Sequence, residues 1–334
     1  MKIIIPMAGM GKRMRPHTLT VPKPMIPVAG KPIVYRLVEG LAAVCDEKID
    51  EIAFIIGDFG AEVEQNLVAI AEKVGAKGSI YYQKEPLGTA HAILCAEAAF
   101  DDGHVIVAFA DTLFYADFKL DMENDGIIWT RKIENPSAFG VVETDANGIV
   151  KQFWEKPKEF VSDEAIIGIY YFRDGTYLKK ELQSLIDNKQ IVNGEYQLTD
   201  ALTNMKNQGC KFKTASVTHW LDCGNKDATI DTNKVVLEMS KAEKQISEDL
   251  VLEASVILEP CFIGKGVSIR NSIIGPYVSI GDNSSIESSI ISNSIIMNSA
   301  KILNANLEGT MNGNFSIYEG KKDSLNLGDY SEVK

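Results

Sequence analysis

The segment Gly9-Met10-Gly11-Lys12-Arg13-Met14-Arg15-Pro16 follows an apolar run that stops at Pro6. Glycines let a backbone approach a ligand closely. Their N–H groups can face phosphate oxygens, and Lys12, Arg13 and Arg15 supply charge. Two familiar phosphate loops do not fit. A Walker loop needs glycine where Pro6 stands and a hydroxyl residue where Arg13 stands. The dinucleotide fingerprint needs glycine at Met14. A further cation, Lys23, lies between Pro22 and Pro24, whose stiff backbone can aim an ammonium at a phosphate. Two carboxylates stand apart in the chain. Asp111 follows an apolar run, where it could also cap a turn, and Asp222 lies in Trp220-Leu221-Asp222-Cys223-Gly224. No spacing argument brings the two together. Glu155-Lys156-Pro157 adds a pair of charges of the kind that is often merely solvated. The chemistry open to such a set is the binding of an anion.

Charge distribution agrees. The 334 residues carry 46 acidic and 34 basic side chains, a net charge of −12. Nucleic-acid binding through the whole surface is therefore not expected. Yet residues 1–38 hold Lys2, Lys12, Arg13, Arg15, Lys23, Lys31 and Arg36 and no acid at all. An acidic protein with a purely basic opening suits one local anion site. No apolar run is long enough to span a membrane, and the opening run is far short of a signal-peptide core. Five cysteines are scattered without CxxC spacing, so neither disulfides nor zinc are indicated, and a reducing cytoplasm is the expected compartment.

These groups need elements to position them. The pattern predicts strands over 2–5, 52–56, 79–82 and 105–109, alternating with helices over 33–44, 61–74 and 89–99. Such alternation predicts a parallel sheet covered by helices, with ligands beyond the carboxyl ends of the strands. The loop 7–15 and the loop from Asp111 both fall there. Strands over 127–130, 139–143, 149–153 and 166–172 then predict an antiparallel extension, with Asn147-Gly148 as a hairpin turn. Helices over 176–186 and 199–208 and a strand over 212–217 follow. A linking helix is expected over 227–245, anchored by Ile230, Val235 and Leu237.

The last section repeats. Ile257, Ile263, Ile269, Ile274, Ile280, Ile286, Ile291, Ile296, Ile302 and Leu307 recur at steps of six or five, with Gly, Ser and Asn between them. Neither a helix nor a simple alternation has that period. Hexapeptide β-helix repeats do, each short strand forming one side of a triangular coil. Burial of each Ile, worth about 1.5–3 kcal/mol, favours order. Beyond Leu307 the pattern fades, and 312–334 reads as a cap or loose tail. Coils of this kind that transfer acyl groups usually need a histidine base. His17, His91, His104 and His219 all precede the repeat, so a structural or assembly role is expected for it.

The motifs together resemble the sugar-1-phosphate nucleotidylyltransferase family. Its pattern is G-x-G-T-R-x-x-P, then P-K-P about ten residues on, and here Gly9 to Pro16 and Pro22-Lys23-Pro24 match it. Pro86-Leu87-Gly88-Thr89-Ala90 resembles the base-binding loop. Ala110-Asp111 resembles the first metal motif, Glu155-Lys156-Pro157 the sugar-phosphate motif, and Trp220 to Gly224 the second metal motif. The resemblance covers about residues 1–235, and an appended left-handed β-helix also occurs in the family. It implies an α/β fold: a Rossmann-like mixed-sheet nucleotidyltransferase domain over 1–245, followed by a short left-handed β-helix of hexapeptide repeats over 246–334 with its tail.

The resemblance implies a Mg²⁺-assisted reaction of a nucleoside triphosphate with a sugar 1-phosphate, in line at the α-phosphorus, with pyrophosphate leaving. Arg13 would brace the triphosphate, Lys23 the α-phosphate region and Lys156 the sugar phosphate. Asp111 and Asp222 would hold Mg²⁺. Ala8, Gly9, Gly11, Gly88 and Thr89, with the Gln83 amide, would hold the nucleotide; Gly140, Glu155 and Gly168 would hold the sugar. Two positions depart from the pattern: Lys12 replaces the usual Thr, and Thr112 follows the first metal Asp. The loop ending in His91 is closer to pyrimidine-nucleotide members than to guanylyl-transferring ones. Glucose 1-phosphate with dTTP, or next UTP, is therefore expected, with a mannose-1-phosphate guanylyltransferase and a non-catalytic regulatory paralogue as alternatives. By the same resemblance a homo-oligomer is expected.

Overall fold

Ile3, Ile4 and Ile5 are fully buried in the strand Lys2–Pro6, as expected for a strand covered on both faces. The computed structural model describes residues 1–192, 194–243 and 245–321. The chain packs as two compact units, one of Met1–Ile26 with Pro32–Gly224, the other of Pro27–Lys31 with Asn225–Lys334.

The first unit is built on a nine-stranded mixed sheet. Its parallel part runs Val105–Ala108, Lys2–Pro6, Glu51–Ile56, Lys77–Tyr82. The register pairs Ile5 with Phe54 and Ile56 with Tyr82, so the carboxyl ends lie level. Met7 and Gln83 then donate their backbone N–H groups to Ile55 and Ile56, at 2.8 and 2.9 Å, and extend the ladders into the loops. The antiparallel extension joins at Glu164–Phe172, which pairs with Val105–Ala108 on one side and Gly126–Lys132 on the other. Gly140–Thr144 and Val150–Glu155 complete one edge, and Phe212–Ser216 the other branch. Helices α1 (Ile33–Val44), α2 (Ala61–Lys73), α3 (Thr89–Leu94), α4 (Gly175–Asp187) and α5 (Leu198–Asn207) supply the cover.

Three local expectations are corrected. The helix over 89–99 ends at Leu94 and resumes only as a 3₁₀ turn at Glu97–Ala99. The linking helix, α6 (Lys226–Met239), stops six residues early, since beyond Leu237 no apolar residue continues its face and Met239 is 43% exposed. Its buried anchors are Ile230, Val236 and Leu237, with Val236 in place of Val235. Two short strands, Thr112–Tyr115 and His219–Asp222, were not foreseen; they pair antiparallel as a ribbon.

In the second unit, three parallel sheets wind as the expected coil. Val251 pairs with Ser268, Ser268 with Ser285, and Ser285 with Lys301, one turn at a time. Ile263, Ile269, Ile274, Ile280, Ile286, Ile291, Ile296 and Ile302 form its buried column. Serine explains the polar positions. Ser255 accepts from the Ser272 N–H, Ser272 from Ser289 and Ser289 from Ala305, at 2.9–3.0 Å, so each hydroxyl satisfies a corner of the next turn. The corner residues Ala254, Asn271, Ser288 and Asn304 have φ of 46° to 52°, a region that favours Asn over branched residues. The coil runs further than the pattern indicates, through Met311–Asn312 and Ile317–Glu319. Asn312 and Tyr318 stand opposite Ile296 and Ile302, which hides the repeat in the sequence. Residues 322–334 of the expected tail lie outside the described residues.

Candidate active site

The loop after Lys2–Pro6 turns sharply at Gly11, where φ is +54° and a side chain would meet Lys23 Cβ at 2.9 Å. Only glycine suits both demands. Thr18 Oγ1 donates to the Gly11 carbonyl at 2.9 Å and holds the turn. The 3₁₀ turn Lys12–Met14 then buries Met14 completely and leaves Lys12 and Arg13 exposed. A second 3₁₀ turn, Lys23–Met25, buries the Lys23 stem and Pro24. Lys23 Nζ donates to Asp111 Oδ2 at 2.9 Å.

The unforeseen ribbon brings the two carboxylates together. Asp222 lies opposite Thr112, the residue after Asp111, and the Cys223 N–H donates to the Asp111 carbonyl at 3.0 Å. Asp222 Oδ1 accepts from the Gly224 N–H at 2.8 Å. Burial raises the Asp222 pKa and the charge of Asp111 adds to this, against the Gly224 N–H, Lys23 and Arg13. Arg13 Nη2 would lie 3.3 Å from a side chain placed at Gly224, so the guanidinium faces the same spot. Two converging carboxylates with hard oxygen donors fit a divalent cation completed by phosphate oxygens. Among the described residues no group of three or more acidic, His or Cys side chains could hold a metal.

A cavity of about 450 Å³ opens at this point. Of the residues read from the sequence, Ala8, Gly9, Gly11, Arg13, Lys23, Gln83, Gly88, Thr89 and Asp111 line it, with Gly224 beside Asp222. Gln83 and Gly88 are one assembly: Gln83 Nε2 donates to the Gly88 carbonyl at 3.2 Å. Gly88 has φ +112°, and a side chain there would meet Tyr196 O at 2.5 Å. The Thr89 hydroxyl is engaged within the protein. It accepts from the Leu198 N–H at 2.9 Å and lies 3.4 Å from Gln197 Oε1.

Gly140, Glu155, Lys156 and Gly168 are outside that lining. Gly140 and Glu155 face each other across paired strands, and a side chain at Gly140 would meet Glu155 Oε2 at 3.4 Å. Gly168, at φ +83°, breaks the register of its strand and packs against Phe109, which lines the cavity. Lys156 is not brought in; its ammonium lies 3.5 Å from Glu155 Oε1 and its side chain is 64% exposed.

Sequence reasoning missed Glu195 and Phe109, both of which line the cavity. Glu195 sits between Gly194, at φ +83°, and Tyr196, whose backbone bonds to Leu87 and Ala90. The Asn193-Gly194 dipeptide is a turn signal that could have flagged the acid beside it. Phe109 carried only the signal of its place at the carboxyl end of the strand expected over 105–109.

A family model described as nucleotidyl transferase matches residues 2–239. A glucose-1-phosphate thymidylyltransferase of Streptomyces antibioticus is 30% identical, over 100% of this chain and 99% of its own. A low-salt glycan biosynthesis nucleotidyltransferase, Agl11, of Haloferax volcanii is 30% identical, over 90% of this chain and 89% of its own. Among solved structures, a UDP-glucose pyrophosphorylase complexed with UDP-glucose shares the fold, with a TM-score of 0.58 and 24% identity over 71% of this chain and 98% of that one.

Proposed function

This chain belongs to the nucleotidyl transferase family, and from that membership we propose a Mg²⁺-assisted enzyme that transfers a thymidylyl, or next a uridylyl, group to glucose 1-phosphate. The coarser activity, that of a sugar-1-phosphate nucleotidyltransferase, is the one named for relatives that use glucose 1-phosphate or mannose 1-phosphate. One observation carries the reading: Lys23, Asp111 and Arg13 line one part of a cavity that also holds the Gln83–Gly88 pair, and the charge of Asp222 is felt beside them.

In this reading a phosphate oxygen of the sugar 1-phosphate attacks the α-phosphorus in line. A new P–O bond forms as the bond to the bridging oxygen breaks, and its electron pair leaves with pyrophosphate. Arg13 stabilises the charge that grows on the leaving group. Lys23, its stem buried, presents a fixed ammonium to the α-phosphate. Asp111 and Asp222 would hold Mg²⁺, which when bound neutralises phosphate charge. Ala8, Gly9 and Gly11 offer backbone to the nucleotide, and Gly140, Glu155 and Gly168 border the place of the sugar. Lys156 would have to swing from Glu155 to reach a sugar phosphate. No covalent nucleophile is needed.

The scattered spacing of the five cysteines supports a reducing, cytoplasmic setting. No helix among the described residues is long and apolar enough to cross a membrane. Val256, Ile273 and Ile290 stack in register and exposed on one coil face, which supports a homo-oligomer. The test is pyrophosphate release with Mg²⁺ across dTTP, UTP, GTP, CTP and ATP against glucose, galactose, mannose and N-acetylglucosamine 1-phosphates. Turnover with dTTP or UTP and glucose 1-phosphate supports the reading. Turnover with GTP and mannose 1-phosphate replaces it with a guanylyltransferase. Silence from folded, nucleotide-binding protein points to a regulatory paralogue.

A further inference from the structure

Gln83 is the polar side chain best placed to read a base, and its amide has two different faces. One is a carbonyl oxygen that accepts; the other is an NH₂ group with two protons to donate. A free amide can turn either face to a ligand and so discriminates poorly. This amide is not free. Nε2 lies 3.2 Å from the Gly88 carbonyl and 3.1 Å from Nδ1 of His91. The Gly88 carbonyl can only accept, so it engages one amide proton. The other goes to His91, provided that Nδ1 carries a lone pair. Burial lowers the His91 pKa, opposed by the charge of Glu85, and a neutral ring with its proton on Nε2 offers that lone pair.

We propose that His91 is a positioning residue for base selection: by taking the second amide proton it leaves Gln83 only its carbonyl oxygen to show the cavity. The inference rests on the nucleotidyltransferase reading above. An acceptor at that place favours a base whose ring nitrogen carries hydrogen, as in thymine, uracil and guanine. It disfavours cytosine and adenine, whose corresponding ring nitrogens carry lone pairs. With both amide protons spent, Gln83 cannot reverse itself to suit them. His91 itself does not line the cavity, so it acts through Gln83 and not by touching the nucleotide.

The test compares wild type with His91→Ala and His91→Asn in the full-length chain. Each is assayed for pyrophosphate release from dTTP and from CTP, and for equilibrium binding of the same two nucleotides. His91→Ala removes the acceptor at a helical position that alanine suits. The second amide proton is then released, and the preference for dTTP over CTP should fall about tenfold, the worth of one hydrogen bond. His91→Asn puts an amide oxygen near the place of Nδ1 and should restore most of the preference. A purely structural role for His91 would lower both nucleotides together and leave their ratio unmoved. An unchanged ratio in folded His91→Ala, in turnover and in binding, overturns the inference. So does a wild type that binds or uses CTP as readily as dTTP. If His91→Ala fails to fold, His91→Leu carries the same expectation. Should wild type turn over no triphosphate, the functional reading fails, while the binding ratios still decide the role of His91.

Discussion

Arg13 and Asp111 come from loops nearly a hundred residues apart and meet only in the folded chain, yet each was recognisable by its charge type and its neighbours. Removing either charge should be felt mainly in the transition state. Arg13→Ala and Asp111→Asn are each expected to lower kcat by about 10²–10³ while the protein stays folded, read by steady-state kinetics. Near-normal turnover in both would remove them from the mechanism. Asp222 was the harder residue to place, because its partner is fixed by a ribbon between Thr112–Tyr115 and His219–Asp222. Strands so short carry little pattern of their own, and their pairing spans about a hundred residues. Lys156 shows the opposite case: its motif was legible, but the side chain stays with Glu155.

Elements matter here through the loops they hold. Gly88 immediately precedes α3 as its N-cap, at φ +112°, with Tyr196 O only 2.5 Å from where a side chain would be. Gly88→Ala must therefore shift the loop that carries the Gln83 contact, and kcat/KM for the nucleotide should drop by about 10². Thr89 ties α3 to α5 by accepting the Leu198 N–H, as an N-cap does from another element. Thr89→Val should cost about 1 kcal/mol of stability, read by denaturant titration, with a smaller effect on turnover than Gly88→Ala. The 145–149 turn leads into the strand that ends in Glu155. There Asp145 Oδ1 accepts from the N–H groups of Asn147 and Ile149, at 2.8 and 3.0 Å. The Ile149 and Asn147 N–H groups hold its pKa below the ordinary value. A depressed folded pKa contributes stability above the unfolded value, about 3.9, and loses it as pH falls through the folded one. The melting-temperature gap between wild type and Asp145→Ala should therefore be full near pH 6 and shrink as pH drops below about 4. A gap that is constant down to pH 2.5 would contradict this role for the carboxylate.

At the scale of the whole molecule, two principles of order occur in one chain. The first unit relies on a mixed sheet whose neighbours are far apart in sequence, as Lys2 with Val105 and Phe212 with Gly126. The second stacks each turn on the one before it, and its stability is close to a sum over adjacent turns. A cavity in the middle of the coil should thus be costly. Ile291→Ala, at a fully buried position, is expected to cost about 2–5 kcal/mol, read by calorimetry as a loss in the transition that belongs to the coil. A loss below about 0.5 kcal/mol would mean that neighbouring turns close the gap by repacking.

Most of what depends on neighbours in sequence was readable from the residues alone, the ends of two helices excepted. That includes the alternation that makes the parallel sheet, the isoleucine period of the coil, the glycines of the first loop and the cations around them. Such features follow from side-chain volume, backbone freedom and charge, which each residue carries wherever it is placed. Pairing across long loops was not readable, because no local preference records which strand a segment will meet. The meeting of Asp111 with Asp222, the intrusion of Glu195 and Phe109 into the cavity, and the two-sided hold on the Gln83 amide all belong to that class. Ile296 and Ile302 marked the coil in the sequence; only their strand partners Asn312 and Tyr318 showed where it continues.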